Sequence, residues 1–85
     1  MDNYTIVLSK KAQKQLDKLS DNIAKPIFEA ISSLQENPRP QGYKKLKGKL
    51  GYRIRVGNYR IIYEVIDHEL IIDIIALGHR KEIYE

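Results

Sequence analysis

The stretch GYRIRVGNYRIIY, residues 51–63, leaves little freedom of fold. Two runs of alternating apolar and polar residues flank Gly57-Asn58, a pair suited to a two-residue turn with the glycine leading. With those two residues as the loop, Val56 faces Tyr59, Arg55 faces Arg60, Ile54 faces Ile61 and Tyr52 faces Tyr63. Directly opposed residues share a sheet face and successive residues alternate. One face then carries Tyr52, Ile54, Val56, Tyr59, Ile61, Tyr63 and Val65, a continuous apolar surface. Carried through a tight turn at Asp67-His68, it gains Leu70, Ile72, Ile74 and Ala76. The other face carries Arg53, Arg55, Arg60, Ile62, Glu64, Ile71, Asp73, Ile75 and Leu77.

The earlier part of the chain supplies the cover for the apolar face. Tyr4 to Leu8 reads as a short first strand. Ser9 is a good N-cap, and Ala12, Leu16 and Leu19 follow at helical spacing. Ser20 to Asn22 breaks that helix and caps a second, whose stripe is Ile23, Ile27, Ile31 and Leu34. Pro26 is tolerable in the first turn of the second helix and kinks it otherwise. Asn37-Pro38-Arg39-Pro40 ends the helix, because residues before proline avoid the α region. Leu46 falls in a short strand, and Gly48 or Gly51 turns the chain. Strands then follow at Tyr52–Val56, Tyr59–Ile66 and Glu69–Leu77.

The pattern predicts an α+β fold in a single domain, residues 1–85. An N-terminal strand and two antiparallel helices pack on one face of a mainly antiparallel four- or five-stranded sheet. Eighty-five residues support one modest core. The absence of cysteine excludes a disulfide framework and any thiolate metal site. No apolar run approaches the ~20 residues of a membrane span, and Met1-Asp2-Asn3 does not open a signal peptide. The expectation is a cytoplasmic chain.

Charge is concentrated. Residues 1–38 balance, and residues 61–85 are acidic. Residues 39–60 hold Arg39, Lys44, Lys45, Lys47, Lys49, Arg53, Arg55 and Arg60 with no acid among them. The whole excess of +4 arises there, which points to a polyanion as partner. The lysines alone are matched by an ordinary solvated surface. The opposition of Arg55 and Arg60 is not, since like charges across a sheet cost some tenths of a kcal/mol to about 1 kcal/mol. Asp73, read as opposite Ile62, would offset part of that. The last strand is expected to return His79 and Arg80 to the arginine side, with Ile83 and Tyr84 close behind.

Clustered arginines suit phosphate oxygens in two-point contact. Asp73 and Glu64 are not a carboxylate cluster for a metal, and Ser9, Ser20, Ser32 and Ser33 lie in helix or cap contexts away from either histidine. That leaves metal-free RNA cleavage, in which the substrate's 2′-hydroxyl attacks the neighbouring phosphate while the protein aligns it, moves protons and neutralises charge. His79 is a candidate for proton transfer, since histidine commonly serves in that role, and reads equally as a solvated turn residue; Tyr84 is a second candidate and reads otherwise as a packing residue. His68 reads as a solvated turn residue; Tyr43, Tyr52, Tyr59 and Tyr63 read as core and edge.

In order and spacing, the two opening helices, ENPRP, KKLKG, YRIRVGNYRIIYEV and the ending IIALGHRKEIYE resemble the RelE/ParE superfamily of small bacterial toxins. These are the toxins of type II toxin–antitoxin pairs, and the resemblance spans essentially the whole chain. It implies, for the RelE branch, cleavage of messenger RNA in the ribosomal A site without metal or cofactor, by 2′-hydroxyl attack. Basic catalytic strand positions of that branch match Arg53 and Arg55. Its arginine opening the next strand matches Arg60, and the one after the last strand matches Arg80. Its C-terminal tyrosine matches Tyr84, across a shorter intervening segment. His79 stands where related toxins carry a proton-donating histidine. Two lysines of the best-known pattern are arginines here, which keeps charge but disfavours proton exchange by those groups.

The resemblance further implies a cognate antitoxin, with the ribosome and mRNA as targets. Lys44, Lys45, Lys47 and Lys49 are the candidate RNA- and ribosome-binding residues, and Ile62, Ile71, Ile75 and Leu77 the apolar dock for the antitoxin. The ParE branch resembles the same fold, lacks the nuclease constellation and inhibits DNA gyrase; retention of the arginines and Tyr84 favours the RelE branch. A non-catalytic RNA-binding module remains a third reading, marked by salt-sensitive binding without cleaved product.

Overall fold

The computed structural model describes residues 3–48 and 51–81. The elements are β1 (Thr5–Leu8), α1 (Lys10–Asp17), α2 (Asp21–Ser33), β2 (Lys44–Lys45), β3 (Tyr52–Val56), β4 (Tyr59–Ile66) and β5 (Ile71–His79). They form a five-stranded sheet in the order β1-β5-β4-β3-β2. Only the β1–β5 pair is parallel, which lets the N-terminal strand lie beside the last one. Helix α1 packs on β5 and β1, and α2 reaches β3.

The hairpin register is the one read from the sequence, from Val56 opposite Tyr59 to Tyr52 opposite Tyr63. Gly57 has φ +60°, and Asn58 has no positive φ. Positive φ at the first turn position alone is the pattern of a type II′ turn, whose twist matches that of the strands. The helix face of the sheet buries Ile61, Tyr63, Ile72, Ile74 and Leu77 against Ala12, Ile27, Ile31 and Leu34. Each such isoleucine or leucine contributes about 1.5–3 kcal/mol relative to exposure. Burial pushes the Tyr63 phenol up to about 12, and its hydroxyl donates to the Pro38 carbonyl at 2.7 Å. The prolines that end α2 are thereby anchored to the core.

Ser9 caps α1, its Oγ accepting from the Ala12 N–H at 3.0 Å. Ser20 occupies the N-cap of α2. Pro26 lies in the second turn of α2, beyond the first turn where it is best tolerated, and the helix runs on to Ser33. Leu46 follows β2 rather than lying in it; its N–H donates to the Gly51 carbonyl at 3.1 Å.

Two expectations fail in the second half of the sheet. The turn after β4 is not two residues long: Asp67–Glu69 forms a 3₁₀ turn and Leu70 adopts φ 55°. Asp67-His68 has no glycine for a tight primed turn. Instead Leu70 accepts the left-handed conformation, at a cost of roughly 1–2 kcal/mol, and its carbonyl takes the Thr5 N–H at 2.7 Å. Strand β5 accordingly begins at Ile71.

The larger departure is a β-bulge. From the turn, Ile66 to Tyr63 pair with Ile71 to Ile74; then Ile62 pairs with Ala76, leaving Ile75 extra. An inserted residue reverses every later side chain. Leu77 is therefore in the core and fully buried, whereas Ala76 joins Ile62 and Leu46 in a small cluster on the other face. Asp73 faces Glu64, not Ile62. The bulge aims the consecutive carbonyls of Ile74 and Ile75 at the same edge, and Ser9 receives both: its N–H donates to Ile74 at 3.0 Å and its Oγ to Ile75 at 2.8 Å. Two residues on, the Leu77 N–H donates to Gln15 Oε1 at 2.8 Å. Leaving such a buried donor unmet costs about 1–3 kcal/mol.

Arg39, counted in the basic window, belongs to the scaffold. Its guanidinium contacts Asp67 at 3.0 Å and the Tyr52 hydroxyl at 3.2 Å, and Tyr4 donates to Asp67 at 2.7 Å. Hydrogen bonds from Arg39 first and Tyr4 second hold the Asp67 carboxyl below the usual range. A depressed carboxylate adds stability above its unfolded pKa of about 3.9, and that stability is lost as pH falls through the lower folded value. At pH 7 an Asp67→Asn variant should therefore melt below the unaltered protein. Melting curves taken downward from pH 4 should converge, and a gap that persists at pH 2 would contradict this account.

Candidate functional site

The sheet face away from the helices is charged in two blocs. Glu64 and Asp73 face each other near the β4–β5 turn. At the far end Arg55 faces Arg60, and Arg60 in turn faces Gly78. Gly78 lies five positions beyond Asp73 along β5, roughly 15 Å at strand rise, so Asp73 does not neutralise the arginine pair.

Arg55, Gly57, Asn58, Tyr59, Arg60 and Arg80 line a small pocket of about 80 Å³ at that end. Arg55 and Arg80 are exposed and Arg60 half-buried. The Arg80 N–H donates to the Asn58 carbonyl at 2.8 Å, which ties the segment just after β5 to the hairpin turn. Gly78 places no side chain beside Arg60. Three arginines from three segments thus line one pocket, whose space exceeds that of a single water molecule.

The other predicted residues divide. Arg53 lies on the same face, but it is only 6% exposed and its Nε is shielded from water. It is a buried cation with interactions inside the protein, not a lining residue of the pocket. His79 does not return to the arginine side. It pairs with Tyr59, and the two rings meet edge-to-face at 5.5 Å on the helix face. Its Nδ1 accepts the Lys81 N–H at 3.2 Å. The bulge is the cause: one extra residue in β5 moves His79 off the arginine face and brings Arg80 onto it.

Lys44 pairs with Arg53 and shares its face, Lys45 pairs with Tyr52 and belongs to the opposite one, and Lys47 is exposed in the following turn. Lys49, Ile83 and Tyr84 lie outside the described residues. The proposed apolar dock does not stand as drawn: Leu77 is fully buried on the helix face, Ile62 is 9% exposed, and Ile71 and Ile75 are half-buried. Exposed apolar surface lies instead at Phe28, 59% exposed, Val7 and Tyr43. Sequence reasoning also missed Gly78, whose partner follows only from the bulged register. Among the described residues, no three of His, Asp and Glu stand close enough to hold a metal ion, and no helix is long and apolar enough to cross a membrane.

The sequence model for the ParE toxin of type II toxin–antitoxin systems, parDE, matches residues 6–84. The chain belongs to the RelE/ParE superfamily of toxins. Within that superfamily it stands close to RelE. The mRNA interferase toxin RelE of Escherichia coli (strain K12) is 27% identical over 86 residues, 95% of this chain and 90% of its own. A putative toxin RelE1 of Methanocaldococcus jannaschii is 31% identical, with 96% of each chain covered. Among solved structures, the archaeal RelE–RelB complex from Pyrococcus horikoshii OT3 superposes with a TM-score of 0.83 at 29% identity, covering 95% of this chain and 99% of that one. The RelBE2 toxin–antitoxin complex of Mycobacterium tuberculosis gives 0.81 at 26%, covering 92% and 99%. The RelE-like architecture expected from the sequence is the one found.

Proposed function

We propose that this RelE-like toxin is a metal-independent endoribonuclease that cuts messenger RNA on the ribosome and so inhibits translation. The observation that carries the proposal is the convergence of Arg55, Arg60 and Arg80 on one pocket. In this reading the scissile phosphate sits among the three guanidinium groups, which neutralise the charge that builds on its oxygens as the 2′-hydroxyl attacks. Arginine hardly deprotonates, so the pocket supplies charge and alignment rather than a proton acceptor. Tyr84, the match to the family's C-terminal tyrosine, is assigned the proton-transfer step. Arg53 supports the pocket from the interior of the same face. Lys44 and Lys47 add exposed positive charge for ribosomal and messenger RNA, an attraction that salt weakens. The partner that restrains the toxin is a cognate antitoxin, as the RelB–RelE complexes among the similar structures suggest.

The test is a translating extract supplied with the purified protein, with RNA ends mapped afterwards. New ends inside translated codons, absent when ribosomes are removed, are the expected result. The match to a ParE model favours one alternative, inhibition of DNA gyrase. Uncut transcripts together with arrested supercoiling would establish that reading instead. Because the His79 ring lies on the helix face against Tyr59, a His79→Gln variant should lose no more than about tenfold in rate. Loss of a general acid or base costs about 10²–10⁴; a loss of that size would return His79 to the catalytic group.

A further inference from the structure

We propose that Ser9 and Gln15 of the first helical segment are positioning residues for the arginine pocket, acting through the bulge in β5. The proposal rests on the reading of the pocket as a phosphate grip and extends it to residues on the opposite side of the sheet. Strand β1 stops at Leu8, so beyond Ile74 the β1-side edge of β5 has no strand partner. Ser9 and Gln15 take over that edge. In a regular strand successive carbonyls point to opposite edges; here Ile74 and Ile75 present theirs to Ser9 together, at 3.0 and 2.8 Å. Gln15 Oε1 then receives the Leu77 N–H at 2.8 Å. These bonds fit the bulged path of the chain.

What the bulged path selects is the membership of the pocket. Without the extra residue, Leu77 would face Arg60, its side chain standing where Gly78 now leaves room. His79 would point to the arginine side and Arg80 to the helix side, because a one-residue slip reverses each side chain. With the bulge, Gly78 lies beside Arg60, His79 meets Tyr59, and Arg80 lines the pocket. The choice of Arg80 over His79 is thus made at Ser9 and Gln15.

The experiment pairs disruptive with conservative changes. Gln15→Leu keeps size and removes the acceptor, whereas Gln15→Glu retains one; Ser9→Ala removes the hydroxyl, whereas Ser9→Thr retains it. NMR of each free protein reads the register from cross-strand NOEs between Arg60 and Gly78. Titration with inorganic phosphate reads the pocket. In the S9A/Q15L protein the Arg60–Gly78 NOEs should disappear and phosphate affinity should fall by about tenfold, the loss of one charge-assisted contact. The S9T/Q15E protein should restore both. In an Arg80→Ala background the S9A/Q15L changes should cause no further loss of affinity, a non-additivity that general destabilisation does not produce. If S9A/Q15L fails to fold, Q15L alone carries the test. Unchanged NOEs, full phosphate affinity, or additive loss beside Arg80→Ala would each overturn the proposal. The phosphate and NMR arms do not depend on RNA cleavage. A protein that binds phosphate in this way without cutting RNA sinks only the nuclease reading, and a nuclease whose S9A/Q15L form retains full rate sinks only this one.

Discussion

Arg80→Ala should lower the rate of messenger RNA cleavage by about 10²–10³ while leaving the protein folded, and Arg60→Ala should do the same. That range is the usual cost of removing one donor aimed at developing charge. Both arginines line the pocket, and each comes from a different strand end. Arg80 is exposed beyond the end of β5, so its truncation creates no cavity and thermal melting should barely move. Arg60 faces Arg55; its truncation removes a like-charge opposition worth some tenths of a kcal/mol to about 1 kcal/mol, together with the contacts Arg60 makes within the protein. For Arg80→Ala the loss of activity is therefore expected without a matching loss of stability, the signature of a charge kept for function. Arg80→Lys should recover part of the rate, because lysine restores charge but not the planar two-point fork. Full activity in both alanine variants would remove the pocket from the mechanism.

The second large effect concerns stability. Leu77→Ala should cost about 2–5 kcal/mol, the range for truncating a buried leucine that leaves a cavity. Small domains carry only about 5–15 kcal/mol in total, and 1 kcal/mol moves the melting temperature of a chain this size by roughly 4–8 °C. The midpoint should thus drop by at least about 8 °C. Ile75→Ala, on a half-buried side chain of the opposite face, should cost less than half as much. Strict alternation would place both residues on one outer face and predict similar small losses. Thermal melts of the two variants therefore discriminate between a bulged and an unbulged β5, independently of any nuclease assay.

The β3–β4 hairpin was fully legible because each of its signals is local. Gly57 leads the turn, and turn length sets register. Tyr52, Ile54, Val56, Tyr59 and Ile61 alternate with polar residues, so no slip is tolerated. The same holds for the Ser9 cap and for the stop at Asn37-Pro38-Arg39-Pro40. In β5 the alternation is lost: Ile74, Ile75, Ala76 and Leu77 are all apolar, and no residue marks which ones face the core. The sequence accordingly points His79 and Arg80 alike to the arginine side, and only Arg80 is there.

By itself the sequence determined the α+β plan, the hairpin, the opposition of Arg55 and Arg60, and the concentration of positive charge in one window. These follow from turn chemistry, side-chain periodicity and composition, which act over a few residues. Only the tertiary structure decided that Arg39 serves the scaffold, that Arg53 is buried, and that Arg80 rather than His79 completes the pocket. Those outcomes depend on partners far away in the chain: Asp67 for Arg39, and Ser9 and Gln15 for the bulge. A hydrogen bond across more than sixty residues leaves no periodic trace in the sequence, yet such bonds hold the bulged stretch of β5 beyond which Arg80, and not His79, lines the pocket.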